Sequence, residues 1–172
     1  MKDLVAADPI DVAPVVHLVK LEWLKPHEEV VSVARVHALL EATLSWGAYI
    51  QPLLVDIKTG AILDGHHRHR VGQLLKLRQL PCILVDYMSD ASISVEHWHG
   101  SAVGGILEKR QVIDMAISPH VFPPKTSRHS RNVPTTDRID VPLALLRQPP
   151  PFTGAYSNRP LKQPRSNQEW AC

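Results

Sequence analysis

Eight consecutive residues, Leu63-Asp64-Gly65-His66-His67-Arg68-His69-Arg70, bring together a carboxylate, a glycine, three histidines and two arginines. An apolar run precedes them (52–56, then 61–63), and apolar residues at helical spacing follow (Val71, Leu74, Leu75). The segment therefore reads as a strand-to-helix junction. Glycine there lets the backbone approach a ligand closely, and the helix start behind it offers unpaired N–H groups and a positive dipole end. Imidazole and guanidinium groups add charge-assisted donors, so the guest that fits is a phosphate. Asp64, in front, is placed to hold a magnesium ion or to take a proton. Zinc fits less well. A structural zinc site wants four ligands, the adjacent His66 and His67 diverge on a helix, and Cys82 and Cys172 lie far apart without a CxxC. A merely solvated helix start is the plainer alternative. The acid-glycine-base order at a strand end, where open α/β sheets bind ligands, favours a site.

Two further clusters carry chemistry. Lys25-Pro26-His27-Glu28-Glu29 sets two carboxylates beside a histidine in a turn. Alone it is as well read as a solvated loop; facing Asp64, it would supply a general base. Phe122-Pro123-Pro124-Lys125-Thr126-Ser127-Arg128-His129 reads as a proline-stiffened loop of ammonium, hydroxyl, guanidinium and imidazole donors. Such donors suit a carboxylate or phosphate, although a basic loop without a role is equally compatible. Glu96-His97-Trp98-His99 is a weaker signal, since a Trp at a strand end more often packs.

The elements that must position these groups follow from periodicity. Residues 17–22 form a short strand. Ser32 caps a helix with apolar positions Val33, Val36, Leu40 and Leu44, stopped at Gly47. Residues 52–56 and 61–63 form a hairpin around Lys58-Thr59-Gly60. A helix spans about 66–77, strands 81–87 and 93–98, a helix about 108–117, and residues 141–146 a last edge strand. The sum is a compact α+β domain with a mixed sheet, covering residues 15–147.

Composition narrows the class. The 172 residues suit one domain, and 44% hydrophobic residues suffice for a core. A net charge of +2 with no long run of like charge does not point to nucleic acid. No stretch is long and apolar enough to span a membrane, and residues 1–14 have no signal-peptide pattern. Two unpaired-looking cysteines fit a reducing cytoplasm. Ten of the fifteen prolines lie from Pro119 onward. Residues 148–172 therefore read as a proline-rich tail without regular structure, removable without strong effect on activity. Oligomeric state is not legible.

In order and type, the blocks around Lys25-Pro26-His27-Glu28-Glu29, residues 47–52, Ile62-Leu63-Asp64-Gly65-His66-His67-Arg68 and residues 122–129 resemble the ParB/sulfiredoxin superfamily, and within it the free L-serine kinases. The resemblance covers about residues 18–146. It implies magnesium-assisted phosphoryl transfer from ATP or ADP to the hydroxyl of free L-serine, giving O-phospho-L-serine. In that reading Glu28 is the general base and Asp64 a catalytic or magnesium-holding acid. Gly65, His66, His67 and Arg68, with Asp64, cradle the nucleotide phosphates. Trp98, Lys125, Thr126, Ser127, Arg128 and His129 enclose the amino acid. Ser127 stands where a second Thr is common in the family, and keeps the hydroxyl. Sulfiredoxins carry their catalytic cysteine at the position of His66. ParB-like CTPases have a GERR-type motif at Gly65 and a following helix-turn-helix domain, which is not evident here. The alternative reading is a ParB-like protein that binds or hydrolyses nucleotide as a regulator, or a nuclease.

Overall fold

A computed structural model describes residues 14–101, 104–131 and 138–162. Its centre is a four-stranded mixed sheet in the order β1-β5-β3-β4: β1 (Val16–Lys20), β3 (Leu53–Asp56), β4 (Ile62–Asp64) and β5 (Gln79–Val85). β1 runs antiparallel to β5, β5 parallel to β3, and β3 antiparallel to β4. The α+β class with a mixed sheet is as expected. β3 and β5 are almost wholly buried, which explains why they read as continuous apolar runs rather than alternating ones. Asp56 closes the hairpin: its Oδ2 accepts from Thr59 N and Oγ1 at 3.0 and 2.7 Å.

Helix α1 (Val33–Trp46) starts at Ser32, whose hydroxyl accepts from Arg35 N, and stops at Gly47 with φ of 66°. Its buried face differs from the expected stripe. Val36 and Thr43 are buried, whereas Val33 and Leu44 are exposed. The helix rests on α2 (His66–Leu74) along a narrow seam, so few of its positions are covered.

Residues 127–131 form a strand, β7 (Ser127–Arg131), antiparallel to β6 (Ile93–His97), so the loop expected over 122–129 ends at Thr126. A third helix, α3 (Lys109–Ile117), follows β6 as expected. The last edge strand is shorter than read. Only β8 (Val141–Pro142) pairs, with β2 (Ala48–Tyr49), and α4 (Leu143–Arg147) follows. Leu143 and Leu146 are then buried together at helical spacing, with Leu146 O accepting from Arg78 N.

The proline-rich segment is docked as far as it is described. Residues 155–161 run antiparallel along the free edge of β1, with Lys20 N donating to Ala155 O, Ser157 N to Leu18 O and Leu161 N to Val16 O. Tyr156 packs against Trp23, 5.8 Å between ring centroids. Low periodicity suggested an unstructured tail. What orders it is main-chain pairing with an exposed edge, which needs no periodicity. The ordered unit thus runs past residue 147, and removing the segment would uncover β1. Residues 163–172 lie outside the described residues. Among the described helices none is long and apolar enough to cross a membrane.

Candidate active site

The first wall of the site is the β4–α2 junction. Gly65 has φ of 106°, and a Cβ there would sit 2.7 Å from Leu53 Cγ, so both backbone conformation and space require glycine. No side chain caps α2, and its first helical bond runs from His69 N to Gly65 O at 2.8 Å. The preceding N–H groups are the ones a helix leaves unpaired, at the positive end of its dipole. Asp64 ends β4 exposed, and its Oδ2 accepts from Arg68 Nη2 at 2.9 Å. Arg68 Nη1 donates to the Pro52 carbonyl, and Tyr49 donates to the Arg68 carbonyl at 2.7 Å. Arg68 thus fastens Asp64 to the start of β3.

The second wall is residues 25–29, an extended segment beside β4. Ile62 N donates to Lys25 O, Phe122 N to His27 O and Glu29 N to Phe122 O, so the segment lies between β4 and the 122–126 loop. Successive side chains of an extended chain face opposite ways. His27 is accordingly fully buried, while Glu28 faces the cleft. Glu28 Oε2 accepts from Ser127 N at 2.9 Å and from Ser127 Oγ at 2.8 Å. His27 Nε2 lies 2.7 Å from the same hydroxyl.

Behind this wall the histidines cluster. The His27 ring stands edge-on to His66 at 4.6 Å and to His129 at 5.7 Å between centroids. Burial holds the His27 imidazole down to about 4. It also lowers His129 to about 3, helped by the neighbouring His27 and Lys109, and it lowers His66 well below its ordinary range. His67 is lowered by burial and then by the cations Arg35 and Arg68. The His27 backbone N–H donates to His66 Nε2 at 3.4 Å, so a neutral His66 carries its proton on Nδ1. His129 Nε2 lies 2.9 Å from the Tyr87 hydroxyl.

The rim is looser. Arg128 stacks over Trp98 at 5.2 Å and reaches Glu96 only at 3.8 Å. Lys125 holds φ of 56°, a conformation seldom adopted by a residue with a side chain, and such positions concentrate at ligand sites.

These walls enclose an open cleft of about 740 Å³. Of the expected site residues, Glu28, Asp64, Gly65, His66, His67, Arg68, Trp98, Lys125, Ser127, Arg128 and His129 line it. Thr126 does not. It is buried, and its hydroxyl donates to Pro123 O at 2.7 Å, stabilising the turn into β7. The sequence reading gave no role to His27, which braces Ser127, or to Arg35 and Gln51, which also line the cleft. His27 was within sight in the 25–29 motif, since alternation turns it inward. Arg35 and Gln51 gave no local signal.

Among the described residues no three His, Cys, Asp or Glu side chains are grouped to hold a metal by themselves. Asp64 offers one exposed carboxylate, which matches magnesium: that ion takes one or two protein carboxylates and fills its shell with water and substrate phosphates.

No protein-family model matches the chain. It is 32% identical over 106 residues to an ATP-dependent L-serine kinase of Staphylothermus marinus, covering 57% of this chain and 41% of that protein. It is 31% identical over 94 residues to an ADP-dependent L-serine kinase of Thermococcus kodakarensis, covering 52% and 38%. A ParB-like protein of Sulfolobus acidocaldarius is 35% identical over 85 residues, covering 46% and 41%. The matches thus span about two-fifths of the length of these relatives. Among solved structures, a free serine kinase in complex with AMP superposes with a TM-score of 0.68 at 20% identity, covering 82% of this chain and 98% of the other. SbnI from Staphylococcus aureus, truncated at its C-terminus, gives 0.62 at 13% identity, covering 77% and 89%. The chain therefore has the fold of the solved free serine kinase.

Proposed function

We propose that this protein is a small-molecule kinase that transfers a phosphoryl group from ATP or ADP to the hydroxyl of free L-serine, giving O-phospho-L-serine. The observation that carries the reading is the pairing of two unlike walls across one cleft. Glu28 is held by two donors on Oε2 alone, opposite a glycine-started helix N-terminus that suits phosphate. Relatives named for each donor, ATP and ADP, support the nucleotide class.

Phosphoryl transfer needs positioning and charge neutralisation more than covalent catalysis. In the proposed reaction Glu28 accepts the proton of the serine hydroxyl as its oxygen bonds to the terminal phosphorus. The bond from that phosphorus to the bridging oxygen breaks, and the nucleotide leaves one phosphate shorter. The N–H groups at the start of α2, with neutral His66 and His67, donate to the phosphate oxygens. Asp64, held by Arg68, would hold magnesium carried on those phosphates; the ion would neutralise their charge. Arg128 and Lys125 would meet the serine carboxylate, with Trp98 as a wall. The setting we expect is the cytoplasm, where the buried free thiol Cys82 would stay reduced.

Incubating the protein with magnesium, ATP, ADP or CTP and each amino acid in turn, followed by phosphorus NMR, tests this. A phosphomonoester formed with serine is expected. Nucleotide hydrolysis that ignores amino acids would instead favour the ParB-like reading, which the Sulfolobus relative keeps in view.

A further inference from the structure

The 122–129 motif suggests that Ser127 contacts the amino acid. Its surroundings say otherwise. The Ser127 hydroxyl is 2.8 Å from Glu28 Oε2 and 2.7 Å from His27 Nε2, while its backbone N–H also donates to Glu28 Oε2 at 2.9 Å. A hydroxyl has one proton to give, and a carboxylate can only accept. With Glu28 ionised, the Ser127 proton goes to Glu28 and the bond from His27 is donated by an Nε2–H, which leaves the buried Nδ1 as a bare acceptor. His27 lies at 0% exposure, wedged between His66 and His129, so its ring has no freedom to turn away. Its own backbone N–H is tied to His66, which fixes the segment from the other side.

We infer that Ser127 and His27 are positioning residues for Glu28: His27 Nε2–H orients the Ser127 hydroxyl, which with the Ser127 amide pins Glu28 Oε2 and leaves Oε1 to receive the serine proton. This rests on the kinase reading for its catalytic meaning, and moves Ser127 from the substrate-contacting group to the group that supports the base. The device has a physical rationale. A glutamate has three rotatable side-chain bonds, and holding one oxygen with two donors fixes the other without competing for it.

Ser127→Ala and Ser127→Thr provide the test, since Ser127→Ala keeps the backbone bond to Glu28 and with it the loop. We expect Ser127→Ala to lower kcat about ten-fold, the low end for losing a hydrogen bond to a charged group, with the KM for serine within about three-fold of wild type. Ser127→Thr, which keeps the hydroxyl, should restore most of kcat. His27→Gln, which retains an N–H near the Nε2 position, should lose less than His27→Leu. A rise in the KM for serine at unchanged kcat in Ser127→Ala would overturn the inference and return Ser127 to substrate binding. Nitrogen-15 NMR of the His27 ring at pH 7 needs no activity: it should show a neutral Nε2–H tautomer. An Nδ1–H tautomer or an imidazolium would overturn the bonded chain alone, whereas wild-type protein inactive with every nucleotide would sink the kinase reading.

Discussion

The two sides of the cleft are built to different standards. On the Glu28 side one carboxylate oxygen is held by two donors from Ser127, whose hydroxyl also meets buried His27, and three histidines with lowered imidazoles pack behind it. On the rim the cations are exposed, and Arg128 meets Glu96 only at the outer limit of an ion pair. The Asp64 junction is intermediate: its backbone is fixed by Gly65 and Arg68, yet its carboxylate stands in solvent. A rigid base beside a loose rim is what a site needs if proton removal must be aimed in advance while a small zwitterion enters and a phosphorylated product leaves. The contrast also says where the molecule is brittle.

The largest effect should come from acid, because it attacks the buried side. His27 and His69 sit at about 4 and His129 at about 3 in the fold, all lowered chiefly by burial, against about 6.5 in an unfolded chain. Between those values the unfolded chain binds protons that the fold refuses. Stability is therefore complete above about pH 6.5 and falls as pH drops towards 4, by up to about 1.4 kcal/mol per pH unit for each histidine. Against a typical 5–15 kcal/mol for a domain, that should unfold much of the protein near pH 4. Urea titrations at pH 7, 6 and 5 measure it, and a flat response would mean that the cluster is hydrated.

Next comes the proposed base. Glu28→Gln should lower kcat on the order of 10²- to 10⁴-fold with nucleotide affinity intact, while the exposed neighbour Glu29→Gln stays near wild type in steady-state kinetics. Asp64→Asn should cost roughly a hundred-fold and flatten the magnesium dependence of nucleotide binding, as followed by calorimetry. Unchanged metal titration in that variant would remove the ligand role. Arg128→Ala, on the loose rim, should be mildest: about a ten-fold rise in the KM for serine, with little change in that for nucleotide. An effect of Arg128→Ala larger than that of Glu28→Gln would invert the comparison.

What was legible in the chain was what depends on neighbours in sequence. The β3–β4 hairpin, the Gly65 junction and helix α2 follow from contiguous pattern and local chemistry, and the 25–29 and 122–129 motifs marked the second wall and the rim. What was not legible depends on distant partners. Residues 155–161 are ordered by the open edge of β1, and α4 by bonds from Leu143 N to Gly47 O and from Arg78 N to Leu146 O, partners that lie far away in sequence. Thr126 and Ser127 are adjacent and chemically alike, yet one hydroxyl closes a turn on Pro123 and the other serves Glu28, 99 residues away. Only the fold separates them.

The most direct measurement uses L-serine labelled with oxygen-18 in its hydroxyl, incubated with magnesium and the nucleotide donor and followed by phosphorus NMR. If Glu28 deprotonates that hydroxyl for attack on phosphorus, the product is a phosphomonoester whose phosphorus signal carries the isotope shift of a bridging oxygen-18, and Glu28→Gln forms it far more slowly. Release of inorganic phosphate with no labelled ester, or an ester that lacks the label, would contradict the account.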